Sequence, residues 1–361
     1  MNPNFWKNKK VMITGHSGFK GSWLSLWLKI LEAKVTGYSL PPPTEPSLYD
    51  LANVSEDLTS VKGDVRDLDH LKATIKECVP EILIHMAAQS LVVDSHEDPV
   101  NTYTTNVVGT INALEAARFS DSIKVVIIIT SDKCYQNQEW VWGYREHDPL
   151  GGMDPYSNSK ACAELITSAY RSSYFKEPEQ PYKNVSVASV RAGNVIGGGD
   201  WANNRLIPDV MKAFMKNEPV VIRNPGSIRP WQHVLEPLCG YLTLAERLWE
   251  SGMEYAEGWN FGPRETDAQK VSWVVEQLAH LWGAGTKWTE LPQPYPHEAH
   301  YLKLDCSKSR QRLGWAPQLD LNESLEWVVK WYQSFNNSQD IREITISQIL
   351  KYQSLLLVRP K

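Results

Sequence analysis

Cysteine is scarce in this chain: five among 361 residues (Cys78, Cys134, Cys162, Cys239 and Cys306), with no C-x-x-C pair. That scatter excludes a disulfide framework and a zinc site, so no metal is expected, and it fits a reducing compartment. Positive charge is not in excess either. With 37 Lys and Arg against 42 Asp and Glu the formal net charge is -5, which gives no reason to expect nucleic acid as a partner. An anionic ligand would need cations gathered at one place. No stretch approaches about 18 consecutive apolar residues, and the start MNPNFWKNKKVMITG runs straight into a strand without an apolar leader. The expectation is a soluble, cytoplasmic protein with no membrane contact.

What is present is ordinary globular material, 42% hydrophobic and 22% charged. Short apolar runs alternate with helical patterns through the first half. Strands are expected over 10–14, 34–39, 59–62, 82–85, 124–130 and 185–191, with helices near 18–31, 67–78, 99–118 and 155–174. Nearly continuous apolar strands separated by helices predict a parallel sheet covered on both faces. After about residue 193 the alternation breaks up among glycine, proline and aromatic residues. The fold class expected is therefore α/β: a Rossmann-type, doubly wound parallel sheet over 1–193. Residues 194–361 are expected to form a smaller, interleaved C-terminal substrate-binding lobe, with some segments returning to the sheet.

Sheets of this kind bind ligands beyond the C-terminal ends of their strands. VMITGHSGFKGSWLSLWL puts Gly15, Gly18 and Gly21 at the first strand-to-helix turn, with Ser17 and Phe19 between them. Glycine there lets backbone approach a pyrophosphate, and the helix start offers free N–H groups. The spacing is the looser G-x-x-G-x-x-G. GDVRD at 63–67 offers Asp64 to an adenine amino group, with Val65 beside it. HMAAQS at 85–90 offers small Ala87 and Ala88, followed by Gln89. A carboxylate for the adenosine ribose is missing after the second strand. The chain reads VTGYSLPPP, leaving Ser39 for that hydroxyl and no arginine nearby for a 2′-phosphate. The cofactor expected is NAD rather than NADP.

DPYSNSK sets Tyr156 and Lys160 four apart on one helix face. A phenol titrates near about 10, and a neighbouring ammonium favours its ionised form. Such a tyrosine can take a proton from an alcohol while hydride leaves the same carbon. The buried strand IIIT ends in Ser131, Asp132 and Lys133, where a ligand crevice belongs. Adjacent titratable groups in different protonation states suit removal of a proton beside a ketone and departure of a hydroxyl one carbon further on.

The glycine turn, the S-D-K strand end and the Y-x-x-x-K helix resemble the extended short-chain dehydrogenase/reductases, and among them the CDP-glucose 4,6-dehydratases. Related dTDP- and GDP-sugar dehydratases carry Asp-Glu at the strand end, and lysine in the second place marks the CDP-glucose group. The stretches AGNVIGGGDWANNRLIPD (192–209), IRPWQHVLEPL (228–238) and HEAHYLKLDCSK (297–308) resemble that group as well. The resemblance implies conversion of CDP-glucose to CDP-4-keto-6-deoxyglucose. Tyr156 would act at the C4 hydroxyl with Lys160 and Ser131 supporting it. Asp132 would donate to the departing C6 hydroxyl, and Lys133 would act at C5, either as base or as a charge that stabilises the enolate. It further implies nucleotide-sugar contacts from Asn194, Arg205, Leu206, Arg229, Asn260, Tyr301 and Lys303. A homodimer or homotetramer and a place in 3,6-dideoxyhexose and O-antigen precursor synthesis follow from the same source.

Two other readings stand beside this one. A nucleotide-sugar 4-epimerase would share the glycine turn, Tyr156 and Lys160 but has no use for acid–base groups at C5 and C6. A non-catalytic NAD-binding scaffold would have no use for Tyr156, Lys160, Asp132 and Lys133 together.

Overall fold

The computed structural model describes residues 1–175, 185–283, 288–290 and 301–358. The stretch 297–308 therefore lies partly outside the described residues, at 297–300. Six strands of the first half, β1 (Lys10–Thr14), β2 (Lys34–Ser39), β3 (Thr59–Lys62), β4 (Ile82–His85), β5 (Val125–Ile129) and β6 (Ser186–Arg191), join a seventh, Gly258–Asn260, in one sheet. Its order is Gly258–Asn260, β6, β5, β4, β1, β2, β3, with every neighbouring pair parallel. β1 lies between β2 and β4, so the strand order runs outward from it in opposite directions and a crevice opens beyond the C-terminal ends there.

Successive side chains of the central strands go to opposite faces, and both faces are buried. Val11, Ile13, Ile82, Ile84, Val125 and Ile127 belong to one core, with Trp23 and Trp27 of the helix Phe19–Ile30. Met12, Leu83, Val126 and Ile128 belong to the other, under Leu71, Ile75 and Leu114 of the helices Leu68–Cys78 and Gly109–Arg118. Apolarity on both faces leaves no alternation for the sequence to display. The helical stretch expected over 99–118 is interrupted by a π-turn at Thr104–Val108.

The second half supplies one strand to the large sheet and builds short ladders beside it. Val195–Ile196 pairs with Gln232–His233 and Ile228–Pro230 with Ala268–Lys270, which bring Asn194 and Arg229 to the rim of the crevice. The helix Leu321–Asn336 starts with a capping box formed by Asp320 and Glu323, and Ile341–Val358 packs after it. Among the described residues no helix is long and apolar enough to cross a membrane, and no group of three His, Cys, Asp or Glu side chains is placed to hold a metal ion.

Candidate active site

A cleft of about 1850 Å³ runs along the C-terminal ends of the strands. Its floor begins at the first turn. Gly15 has φ +78°, and a Cβ there would stand 2.7 Å from the Ala87 nitrogen. A Cβ on Gly21 would stand 2.1 Å from the Gly15 oxygen. Two glycines are thus needed to bring three backbone segments together. Among the described residues no side chain caps the helix Phe19–Ile30 that follows, which leaves its first N–H groups at the cleft.

Ser39 and Ser17 line the cleft, and their hydroxyls are already joined: Ser39 donates to Ser17 at 2.9 Å and Ser17 to the Leu40 carbonyl at 2.8 Å. His16, buried beneath them, meets Ser39 through Nδ1 at 3.0 Å and Ser60 through Nε2 at 2.8 Å, and burial lowers its pKa to about 4. This end of the cleft is a hydroxyl network around a neutral imidazole. Asp64 also lines the cleft, but its carboxylate is engaged by the Arg66 guanidinium at 2.5 to 3.0 Å. Val65, Ala87, Ala88 and Gln89 line it as well, Gln89 anchored by Asn106 at 2.9 Å.

β5 carries the next group. Its apolar residues end at Ile129, and Ser131 is the N-cap of a short turn over Asp132–Cys134, accepting from the Lys133 nitrogen at 3.3 Å. Asp132 is 3% exposed. Its Oδ1 accepts from the Ser131 hydroxyl at 3.0 Å, and its Oδ2 has no partner among the described residues. Burial raises the pKa of this carboxyl against the pull of Lys133, the Ser131 hydrogen bond and Arg229. A carboxyl whose pKa burial raises, with one oxygen uncommitted, is suited to donate a proton.

Tyr156 and Lys160 face the same cleft from the helix Pro155–Tyr170, capped by Asp154. The expected lowering of the phenol is not what this environment gives. Burial pushes Tyr156 up to about 12, with a Ser131 hydrogen bond and Arg205 pulling it down and Asp132 adding to the rise. Burial, and then Lys20, lower Lys160 to about 8, and its ammonium donates to the Ile129 carbonyl at 3.3 Å. Both effects have one origin: desolvation favours whichever form is neutral.

Of the residues expected on the substrate side, Asn194, Arg205, Leu206 and Arg229 line the cleft. Asn194 sits in the left-handed region at φ +47°. Arg205 is held between Asp200 (3.0 Å) and the Ser90 hydroxyl (2.9 Å). Asn260, Tyr301 and Lys303 do not line it. Asn260 is fully buried; its amide donates to the Tyr144 and Asp305 carbonyls at 2.8 and 3.1 Å, and its oxygen accepts from Tyr135 at 2.8 Å. Lys303 pairs with Glu265 at 3.4 Å and lies over the Tyr301 ring.

Sequence reasoning missed Gly193. A Cβ there would lie 1.7 Å from Asp132 Oδ2, so only glycine admits the carboxyl in this position. Its AGN context carries no signal of that contact. It also missed Glu164, four residues beyond Lys160, a spacing that does place it on the same helix face.

Residues 12–327 match the family model described as GDP-mannose 4,6 dehydratase. The chain is 53% identical to a CDP-glucose 4,6-dehydratase of Salmonella typhimurium, over 97% of this chain and 98% of that relative. Among solved structures, a dTDP-glucose 4,6-dehydratase of Bacillus anthracis in complex with NAD is similar at TM-score 0.75 and 22% identity, covering 92% of this chain and 98% of that one. A UDP-glucose 4-epimerase of Thermotoga maritima with UDP-glucose is similar at TM-score 0.78 and 19% identity, covering 90% and 99%. These two likenesses speak for the fold.

Proposed function

The chain belongs to the GDP-mannose 4,6-dehydratase family, and we propose that it converts CDP-glucose to CDP-4-keto-6-deoxyglucose and water by oxidation, elimination and reduction at one site. The observation that carries this reading is Asp132: a buried carboxyl with a raised pKa and an uncommitted oxygen, in the same cleft as Tyr156 and Lys160. Oxidation and re-reduction at C4 alone would not need it. The choice of cytidine rests on the Salmonella typhimurium relative.

NAD is the cofactor. The close backbone approaches at Gly15 and Gly21 and the uncapped helix start suit its pyrophosphate. Ser39, Ser17 and neutral His16 suit a ribose hydroxyl rather than a 2′-phosphate, since they offer hydrogen bonds and no charge. Phe19, Val65, Ala87, Ala88 and Gln89 complete the walls. When bound, NAD supplies the place where the C4 hydride is held until it is returned at C6.

Tyr156 takes the C4 hydroxyl proton, with Ser131 hydrogen-bonded to the same oxygen and Lys160 supporting it one helical turn on. Arg205 eases ionisation of the phenol, being the cation that pulls it down. Once C4 is a ketone, the C5 proton is acidic; Lys133 acts there, and Asp132 gives its proton to the C6 oxygen, which leaves as water. Arg229, Arg205 and Asn194 serve the nucleotide diphosphate, where guanidinium groups fit phosphate oxygens, and Leu206 packs beside it. Exposed Val100, Val108 and Leu165 on the helices around 99–118 and 155–170 support a homodimer through those helices. We place the division between cofactor and sugar halves near residue 193, and the product in cytoplasmic synthesis of deoxysugars for surface polysaccharide.

The test is mass spectrometry of CDP-glucose incubated with the protein and a catalytic amount of NAD, beside UDP-, dTDP- and GDP-sugars. Loss of one water from the CDP-sugar, without net NADH, is expected. An unchanged mass with inverted C4 would show epimerisation instead.

A further inference from the structure

The reacting residues Ser131, Asp132 and Lys133 stand on a short segment, and both ends of that segment are tied to one buried ion pair. Glu164, on the helix of Tyr156 and Lys160, meets Arg191 of β6 at 2.8 Å, with side chains 3% and 5% exposed. On the near side, the Thr130 hydroxyl donates to Glu164 Oε1 at 2.5 Å. On the far side, Arg191 donates to the Tyr135 hydroxyl at 2.6 Å, and that hydroxyl donates to Asn260 at 2.8 Å. Ser189 donates at 2.7 Å to the same Glu164 Oε2 that Arg191 meets, and the Glu146 carbonyl accepts from Arg191 at 3.0 Å. Although burial raises the Glu164 carboxyl, the Arg191 charge and these hydrogen bonds hold it below the usual range.

We propose that the Glu164–Arg191 pair is a clamp that sets where Ser131, Asp132 and Lys133 stand relative to Tyr156, with Thr130 and Tyr135 as its two positioning residues for the elimination step. A buried ion pair is weak evidence for stability by itself, since replacing both partners with apolar groups is often neutral. What an apolar pair could not do is hold two hydroxyls at fixed points on either side of the four-residue segment 131–134. The clamp also assigns a use to Asn260, which anchors Tyr135 rather than reaching the cleft. Neither Thr130 nor Tyr135 has been given a chemical part in the reaction, so each can lose its hydroxyl without removing a reagent.

This inference rests on the dehydration reading, and turnover of CDP-glucose by the parent protein tests that reading separately. The clamp is judged on the ratio of variant to parent in Thr130→Val and Tyr135→Phe, which leave the ion pair and the packing volume in place. Single-turnover absorbance at 340 nm follows C4 oxidation, and quenched mass spectrometry follows water loss. Water loss is expected to slow at least about tenfold in each, since displacements near 1 Å at reacting atoms cost up to ~10²-fold. KM for CDP-glucose should stay within about twofold of the parent. Thr130→Ser should restore the rate. Unchanged water loss in both variants, or KM and NAD binding falling in step with kcat, would overturn the clamp. So would failure of Thr130→Ser to recover more than Thr130→Val.

Discussion

Gly193→Ala is the sharpest perturbation the site offers, because one methyl group is aimed at one reagent. The added Cβ would lie 1.7 Å from Asp132 Oδ2 and 2.1 Å from its Cγ. Ordinary contact needs about 3.4 Å or somewhat less, so carboxyl and methyl must separate by roughly 1.5 Å in an interior packed too tightly to absorb it. Gly193 is itself fixed, its carbonyl accepting from Gln232 Nε2 at 3.2 Å, so the carboxyl has to yield. A reagent displaced by that much loses on the order of 10²-fold in its step, and overpacking costs about 1–3 kcal/mol of stability. Tyr156 and the glycine turn are untouched. In a rapid-quench assay with CDP-glucose, the 4-keto sugar that has not lost water should therefore accumulate with reduced NAD. C4 oxidation should stay within a few-fold of the parent. Gly193→Ala with parental water loss and parental thermal stability would refute both the contact and the role given to Asp132.

Asp132→Asn keeps shape and removes the proton donor; water loss should fall ~10²–10⁴-fold, the usual worth of general acid–base catalysis, with NAD binding measured by calorimetry unchanged. Tyr156→Phe should abolish absorbance growth at 340 nm on adding CDP-glucose while the circular dichroism spectrum is retained, and residual oxidation above about a hundredth of the parental rate would count against its role as base. For pH, Glu236 is buried and raised to about 7, accepting from the Gln318 and Leu319 nitrogens at 2.9 and 2.7 Å and from Tyr352 at 2.6 Å. A carboxyl with a folded pKa above its unfolded value holds its proton more tightly when folded. Its contribution is therefore present below about 4.5 and is lost as pH rises toward about 7. Thermal melts should show stability declining across that window, and Glu236→Gln should flatten the decline; an identical slope in the variant would contradict it.

These cleft-lining residues were legible in the sequence because each set lies within a short stretch: Gly15 to Gly21, Ser131 to Lys133, Tyr156 to Lys160. Strand–helix alternation is local too, so six of the seven sheet strands fall where the apolar runs put them. The seventh, Gly258–Asn260, is three residues long and has no period to detect. Asn260 shows the limit more plainly. The family resemblance implied a nucleotide-sugar contact for it, yet its amide donates to the carbonyls of Tyr144 and Asp305. Side-chain type states what a residue can donate or accept, and burial decides who receives it. Tyr301 and Lys303 fell to the same gap, since nothing in their spacing says which side of the segment faces the cleft.

Desolvation acts in the same direction on the two groups proposed as acid and base. Burial raises Asp132 and Tyr156 alike, the carboxyl proposed to donate a proton and the phenol proposed to lose one. The burial that favours donation by Asp132 therefore resists ionisation of Tyr156, and the Ser131 hydrogen bond and the Arg205 charge oppose that resistance. Arg205 is the cation that pulls Tyr156 down, and Asp200 holds it in place at 3.0 Å. Asp200 is itself fixed from the second half of the chain, its carbonyl accepting from the Tyr332 hydroxyl. Tyr156 thus stands in the first half of the chain, while Arg205 and its supports Asp200 and Tyr332 stand in the second. In the proposed reaction, proton removal at C4 would therefore depend on how the two halves are held against each other.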